Sequence, residues 1–358
     1  MPYSDLISKL RKQNISKEQK YTLKTTILAG KRSGKITDFK TVGTIREALH
    51  IAKEEEADIA EVYVQHGIFK GTVIIDRPTR IIGPDCNGRG AMIDGAILND
   101  KGHYLVVRNI QISGGANFGI LQKGGILDVN NVLFNPTVRS INRSIGMPIL
   151  HISNGAQAII EALKWVGNYS SAVCVMGEGT KVVVSGLNIS GFKFALGFIE
   201  TCPFPATGVI EVGDRATLLA ENCILTNNEY VSVYVHDGGQ MHFRGGTIDG
   251  TKSVETSHGS IGGHNFLFMS GAKAELRNFI SSNAVIGIAL QDAYLTAENG
   301  TVSGNLVGIH LEPPADYNPS NCIYDNVQFM NNESKVSGYI PIPVLNPDRS
   351  NCPIIAWE

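Results

Sequence analysis

The stretch "LLAENCILTN", residues 218–227, decides how the chain is read. Its apolar residues alternate as in a half-buried strand, yet Asn222 breaks the alternation and Asn227 closes it five places on. An Asn there is either a ligand-binding residue or a piece of backbone architecture, and recurrence separates the two. The same grammar returns in "LVVRNIQISG" from 105, "LDVNNVLFNP" from 127, "VVVSGLNISG" from 182, "MHFRGGTIDG" from 241, "AELRNFISSN" from 274, "LTAENGTVSG" from 295 and "CIYDNVQFMN" from 322. "AIIEALKWVG", around Ala162, is a weaker copy.

In each copy an alternating run is broken by Asn or Gly, at Asn109, Asn131, Gly186, Asn222, Gly245, Asn278, Asn299 and Asn326. A second column closes the copies: Gly114, Gly191, Asn227, Gly250, Asn283, Gly304 and Asn331. Asn and Gly accept a left-handed backbone at low cost, so each copy reads as strand, bend, strand, corner. A repeat of about 22 residues is too short for a helix pair and suits one coil of a solenoid whose strands stack in parallel. Side-chain amides at one bend would then hydrogen-bond up the stack, an asparagine ladder in which Asn222 is structural rather than a ligand.

These copies resemble the right-handed single-stranded parallel β-helix of the pectin-lyase-like superfamily, over roughly residues 40 to 335. The resemblance implies an all-β solenoid with an N-terminal helical cap, and "TIREALHIAKEEEA" from 44 has the helical spacing for it. An open solenoid end is an unpaired edge, so a cap is physically required. The expected organisation is a polar helical and extended segment over 1–43, the β-helix over 44–335 with a long loop near 249–264, and a Pro-rich tail over 336–358. Arg77 and Arg80, in "RPTRIIG", read as salt-bridge or cap residues.

Composition narrows the function. With 31 basic and 33 acidic side chains the chain offers no broad attraction for nucleic acid or an anionic membrane. No window is long and apolar enough to span a bilayer, and the polar start "MPYSDLISKLRKQNISKEQKY" does not read as a signal peptide, which gives a cytoplasmic or virion location as encoded. The six cysteines show no metal-type spacing; no metal or cofactor is expected, and Cys322 with Cys352 is the one pairing worth testing.

In proteins of the resembled fold, ligands lie along a groove beside one parallel sheet. Aligning the strands that precede each copy, "GVIEVGD" at 208, "SVYVHDG" at 232, "NFLFMSG" at 265, "GIALQDA" at 287 and "GIHLEPP" at 308, turns the apolar positions inward. The outward set is Tyr234, His236, Gln291, His310 and Glu312, with Glu211 and Asp237 at the margin; a slip of one residue would turn Glu211 inward. Imidazoles beside carboxylates and a phenol suit proton transfer and sugar binding. The insertion "DGTKSVETSHGSIGGH" from 249 leaves just after the His236 coil and brings His258 and His264, with the Gly content of a groove wall or lid.

The enzyme reading is a polysaccharide lyase or glycoside hydrolase. In it, Glu312 or Asp237 accepts a proton, His236 or His310 supplies one, and Tyr234, Gln291, Glu211, His258 and His264 bind substrate. Against it, the catalytic signatures of the superfamily's polygalacturonases, pectin methylesterases and pectate lyases are missing. The competing reading is a noncatalytic structural or interaction protein, such as a phage component or scaffold, and fibrous relatives of the fold allow a trimer. His242 reads as an outer-face packing residue and His151 as a satisfied strand histidine.

Overall fold

The computed structural model describes residues 24–29, 40–84, 90–114, 118–134, 148–165, 168–169, 171–194, 207–256, 259–312 and 322–338. They fall into two compact units, one formed by residues up to 142 with 149–167, the other by 143–148 with the chain from 168 onward.

In the first unit the helix Ile45–Glu54 is laid down by its own sequence. Thr44 caps it, its Oγ1 accepting from the Glu47 N–H at 3.0 Å, while Glu47 Oε2 accepts from the Gly43 N–H at 2.9 Å. Ile45, Ala48, Leu49 and Ala52 recur at helical spacing and are buried, so one apolar stripe faces the strands beneath. Arg77 then donates through Nη1 to the Ala52 and Ala57 carbonyls, at 2.6 and 3.1 Å, and satisfies the helix's C-terminal end. Arg80 lies 3.7 Å from Glu61, so both arginines hold the structural places expected of them.

Behind the helix, Lys24–Ala29, Ile59–Val64, Thr79–Ile82, Leu105–Ile112, Ile126–Phe134 and Gln157–Trp165 pair in parallel, each with the next. A shorter parallel sheet joins Val73–Ile74, Ile97–Asn99, Ile120–Lys123 and Pro148–Ser153. Strands therefore already occupy parts of the segment before residue 43, at Lys24–Ala29 and Lys40–Val42.

The second unit repeats the plan. Its longer sheet stacks Lys181–Ser185, Thr217–Glu221, Gln240–Asp249, Lys273–Ser282, Tyr294–Ser303 and Cys322–Met330 in parallel. Its shorter sheet stacks Ser171–Met176, Ile210–Gly213, Val231–Val235, His264–Met269, Ile286–Gln291, Val307–Glu312 and Ser334–Gly338. The chain visits the two sheets alternately, so each unit is wound as a parallel β-helix, and the last strand runs past the expected end at 335. The antiparallel pair Ser253–Thr256 with Gly259–Gly262 is the hairpin inside the 249–264 insertion.

The bends fall where the repeat puts them. Asn109, Asn131, Asn222, Asn278, Asn299 and Asn326 all have φ between 49° and 55°, Gly186 and Gly245 take 61°, and even Ala162, the weak copy, takes 51°. Asn131 Nδ2 donates to Asn109 Oδ1 at 2.8 Å, and Asn326 Nδ2 to Asn299 Oδ1 at 2.7 Å. All seven residues of the second column also have positive φ. Between bends the inward positions are apolar: Leu218, Ala220, Cys223 and Leu225 are fully buried, as are Met241, Phe243 and Ile248 on the next coil.

Candidate functional site

The outward face of the second unit's shorter sheet holds the residues singled out by sequence. Register sets them in two columns. Cys174, Glu211, Tyr234, Leu267, Ala289, His310 and Ser337 are successive partners, which places Glu211 on the same face as Tyr234. Two residues further along each strand, Met269, Gln291 and Glu312 are partners, and His236 follows the Val235–Phe268 pair into the same line.

His236 and His310 fall on the same outward face but not on neighbouring coils. Leu267 and Ala289 intervene between Tyr234 and His310, so the two imidazoles are three coils apart, roughly 14 Å at strand spacing. They belong to separate clusters of opposite character.

The His236 cluster is closed. His236 Nδ1 donates to Asp237 Oδ2 at 2.8 Å, and its Nε2 lies 3.4 Å from Glu211 Oε1, near enough for an ion pair but off the line of a hydrogen bond. Thr207 Oγ1 donates to the other oxygen of Glu211 at 3.1 Å. Tyr234 stacks on the imidazole, centroids 4.5 Å apart and planes 21° from parallel. Burial by itself would lower the His236 pKa, but the Glu211 and Asp237 carboxylates outweigh it and the value is raised. Burial, with the same two carboxylates, pushes the Tyr234 phenol well above its ordinary range. At 7% and 9% exposure, Tyr234 and His236 offer no open ring face to a sugar, and Tyr234, expected to bind substrate, packs on His236 instead. Asp237, its side chain 57% exposed, is the group of this cluster that meets solvent.

The His310 cluster is open. His310 Nδ1 lies 2.7 Å from Ser337 Oγ, and Nε2 lies 3.1 Å from Glu312 Oε1; the histidine side chain is 27% and the glutamate 59% exposed. A carboxylate can only accept, so Nε2 donates to Glu312; in a neutral imidazole Nδ1 is then the acceptor for the Ser337 hydroxyl. His264 adjoins this pair. Burial first, then the proximity of His310, pushes its imidazole down to about 4, so it is neutral at neutral pH; its Nδ1 is buried without a hydrogen-bond partner. Gln291, half-buried, stands one coil from Glu312. His258 lies outside the described residues, as does Cys352 of the pairing considered with Cys322.

Two features escaped sequence reading. Ser337 lies beyond the expected end of the β-helix, and a lone serine carries no signal until its register partner is known. The other feature is a charged lattice on the outward face of the longer sheet, where Glu221, Arg244, Arg277, Glu298 and Asp325 are register partners. Glu275 is its hub, in ion pairs with Arg277 and with Arg244, the latter at 3.7 Å, and accepting from His242 Nδ1 at 2.7 Å. Desolvation opposes ionisation of Glu275, but His242 and the two arginines prevail and its pKa is lowered. Glu221 goes the other way, raised by burial against the pull of Arg244. The signal was present: the residue immediately before the Asn or Gly bend is charged in five successive copies. His242 itself is fully buried.

The first unit holds a cavity of about 350 Å³ lined by Tyr63, Gln65, His66 and Pro84 among others, with no carboxylate among the described residues of its lining.

Neither known protein families nor curated proteins yield a match to this chain. Among solved structures, the A-module of the mannuronan C-5 epimerase AlgE4 of Azotobacter vinelandii is similar, with 11% identity over 85% of this chain and 95% of that one, at a TM-score of 0.47. The fold assignment rests on this chain's own strand pairing, and the residues of the site on its own geometry.

Proposed function

We propose that this protein is a carbohydrate-binding β-helix that takes an extended polysaccharide along the outward, C-terminal margin of the second unit's shorter sheet, and that His310 with Glu312 is where it acts on the bound chain. One observation carries the reading. Met269, Gln291 and Glu312 line up on successive coils, the last two with polar side chains that reach solvent, and His310 and Ser337 stand beside Glu312. Coils spaced about 4.8 Å apart repeat at close to the length of one sugar ring in an extended chain, so each coil can meet one residue of the polymer. Gln291 offers both donors and acceptors to hydroxyls, and His310 with Glu312 supplies a base and its carboxylate partner.

The proposal divides the groups expected to act together. His236, Glu211 and Tyr234 form a buried knot held by an ion pair and ring stacking, and Asp237 is its solvent-facing edge. The noncatalytic reading describes that end well. The lyase or hydrolase reading is confined to the His310 end.

The test is a panel of acidic and neutral polysaccharides, with binding read by calorimetry and chemistry by unsaturated ends for elimination or reducing ends for hydrolysis. Gln291→Ala and Glu312→Ala should weaken binding at least tenfold while leaving the circular dichroism spectrum unchanged. If no member of the panel binds, or if both variants bind as the parent does, the proposal is wrong.

A further inference from the structure

The hydrogen bonds around His310 form a directed chain from a hydroxyl through an imidazole to a carboxylate. Ser337 Oγ lies 2.7 Å from Nδ1, and Nε2 lies 3.1 Å from Glu312 Oε1. The fold builds this chain in two moves. Parallel register sets Ser337 directly across from His310 on the next strand, and the two-residue period of a strand turns Glu312 to the same face. A hydroxyl, a base that can take its proton, and an acid that orients the base are the parts of an activated nucleophile.

We infer that Ser337 is a nucleophile and that the protein hydrolyses acyl esters, the substrate class being O-acylated sugar residues of the polysaccharide in the proposed function, on which this inference rests. Nδ1 faces Ser337 and Nε2 faces Glu312, so the proton that the imidazole is placed to take is that of the serine hydroxyl. The group the chain presents for reaction is the serine oxygen. His264 alongside is neutral and adds no positive charge to compete for Glu312.

The reaction balances with water as the second substrate. Ser337 Oγ bonds to the ester's carbonyl carbon as its proton moves to His310 Nδ1, and Glu312 holds the imidazolium. The tetrahedral adduct breaks its bond to the sugar oxygen, which leaves with the proton from Nδ1. Water then adds to the acyl-serine by the same route, so the carboxylic acid departs and the hydroxyl of Ser337 is restored. Ester and water become alcohol and acid, with no redox change.

The full chain is treated with a fluorophosphonate probe and mapped by peptide mass spectrometry, and hydrolysis of 4-nitrophenyl acetate is followed in parallel. The expected result is one phosphonylated site, at Ser337, with an early burst of nitrophenol. Ser337→Ala should abolish labelling and lower turnover at least 100-fold, and Glu312→Gln should lower turnover at least tenfold. Labelling of the parent needs no variant, so it decides the matter even where Ser337→Ala folds poorly. An unlabelled parent, a label on another residue, or undiminished turnover in folded Ser337→Ala overturns the inference. Polysaccharide binding without ester cleavage sinks this inference and spares the proposed function. Ester cleavage at Ser337 without polysaccharide binding overturns the proposed function and, with it, the sugar-ester substrate class, and leaves only the serine as nucleophile.

Discussion

Asn131 gives the repeat a quantitative test. Its backbone is left-handed at φ 53°, and its side-chain amide donates to Asn109 Oδ1 at 2.8 Å. Asn131→Ala removes that hydrogen bond, worth about 1 kcal/mol net, and puts an ordinary side chain in a conformation that costs it about 1–2 kcal/mol. A loss of about 2 kcal/mol is expected. Asn131→Gly removes the same bond but relieves the backbone, at an entropic cost of about 0.5–1 kcal/mol, so its loss should be near 1 kcal/mol. Ala162, in register with Asn131 and at φ 51°, already carries the strain. Ala162→Gly should therefore be neutral or stabilising by up to about 1 kcal/mol, a sign opposite to the usual effect of glycine in a strand. Urea unfolding followed by circular dichroism gives all three differences by linear extrapolation. If Ala and Gly are equivalent at 131, or if Ala162→Gly destabilises, the bends are not what holds this backbone.

Two histidines give pH limbs of opposite sign. His236 has a raised pKa among Glu211, Asp237 and Tyr234, so its contribution is whole below about 6.5 and is lost as pH rises through its folded value. His264, beside His310 and Glu312, is lowered to about 4, so stability is whole above about 6.5 and falls as pH drops towards 4. Melting temperature against pH should lose the alkaline limb in His236→Gln and the acid limb in His264→Gln; a limb unchanged by its variant refutes that assignment. Gly213 is a packing test, because a Cβ there would lie 2.5 Å from His236 Cε1. Gly213→Ala should destabilise by about 1–3 kcal/mol, measured by urea unfolding, and the argument fails if the variant is as stable as the parent.

What sequence could reveal follows from which interactions are local. Left-handed bends select Asn or Gly whatever surrounds them, so Asn109 through Asn326 announced the coil, and Ala162 was recognisable by its frame alone. Side-chain parity is local too, which is why Tyr234, His236, His310 and Glu312 were assigned to the outward face of their strands. Order along the stack was legible too, because the aligned strands at 232, 265, 287 and 308 already set His310 three coils beyond Tyr234. Burial is not local. Whether an outward histidine is open, like His310, or enclosed, like His236, depends on groups such as Glu211 and Thr207 that come from another segment. Ser337 acquires meaning only through its strand partner.

Hydrogen exchange read by mass spectrometry, with and without a polysaccharide that binds, tests the location of the proposed strip most directly. The account predicts slowed exchange in His264–Met269, Ile286–Gln291 and Val307–Glu312 of the second unit. Protection confined to its longer sheet or to the first unit, with those three strands unchanged, would contradict it.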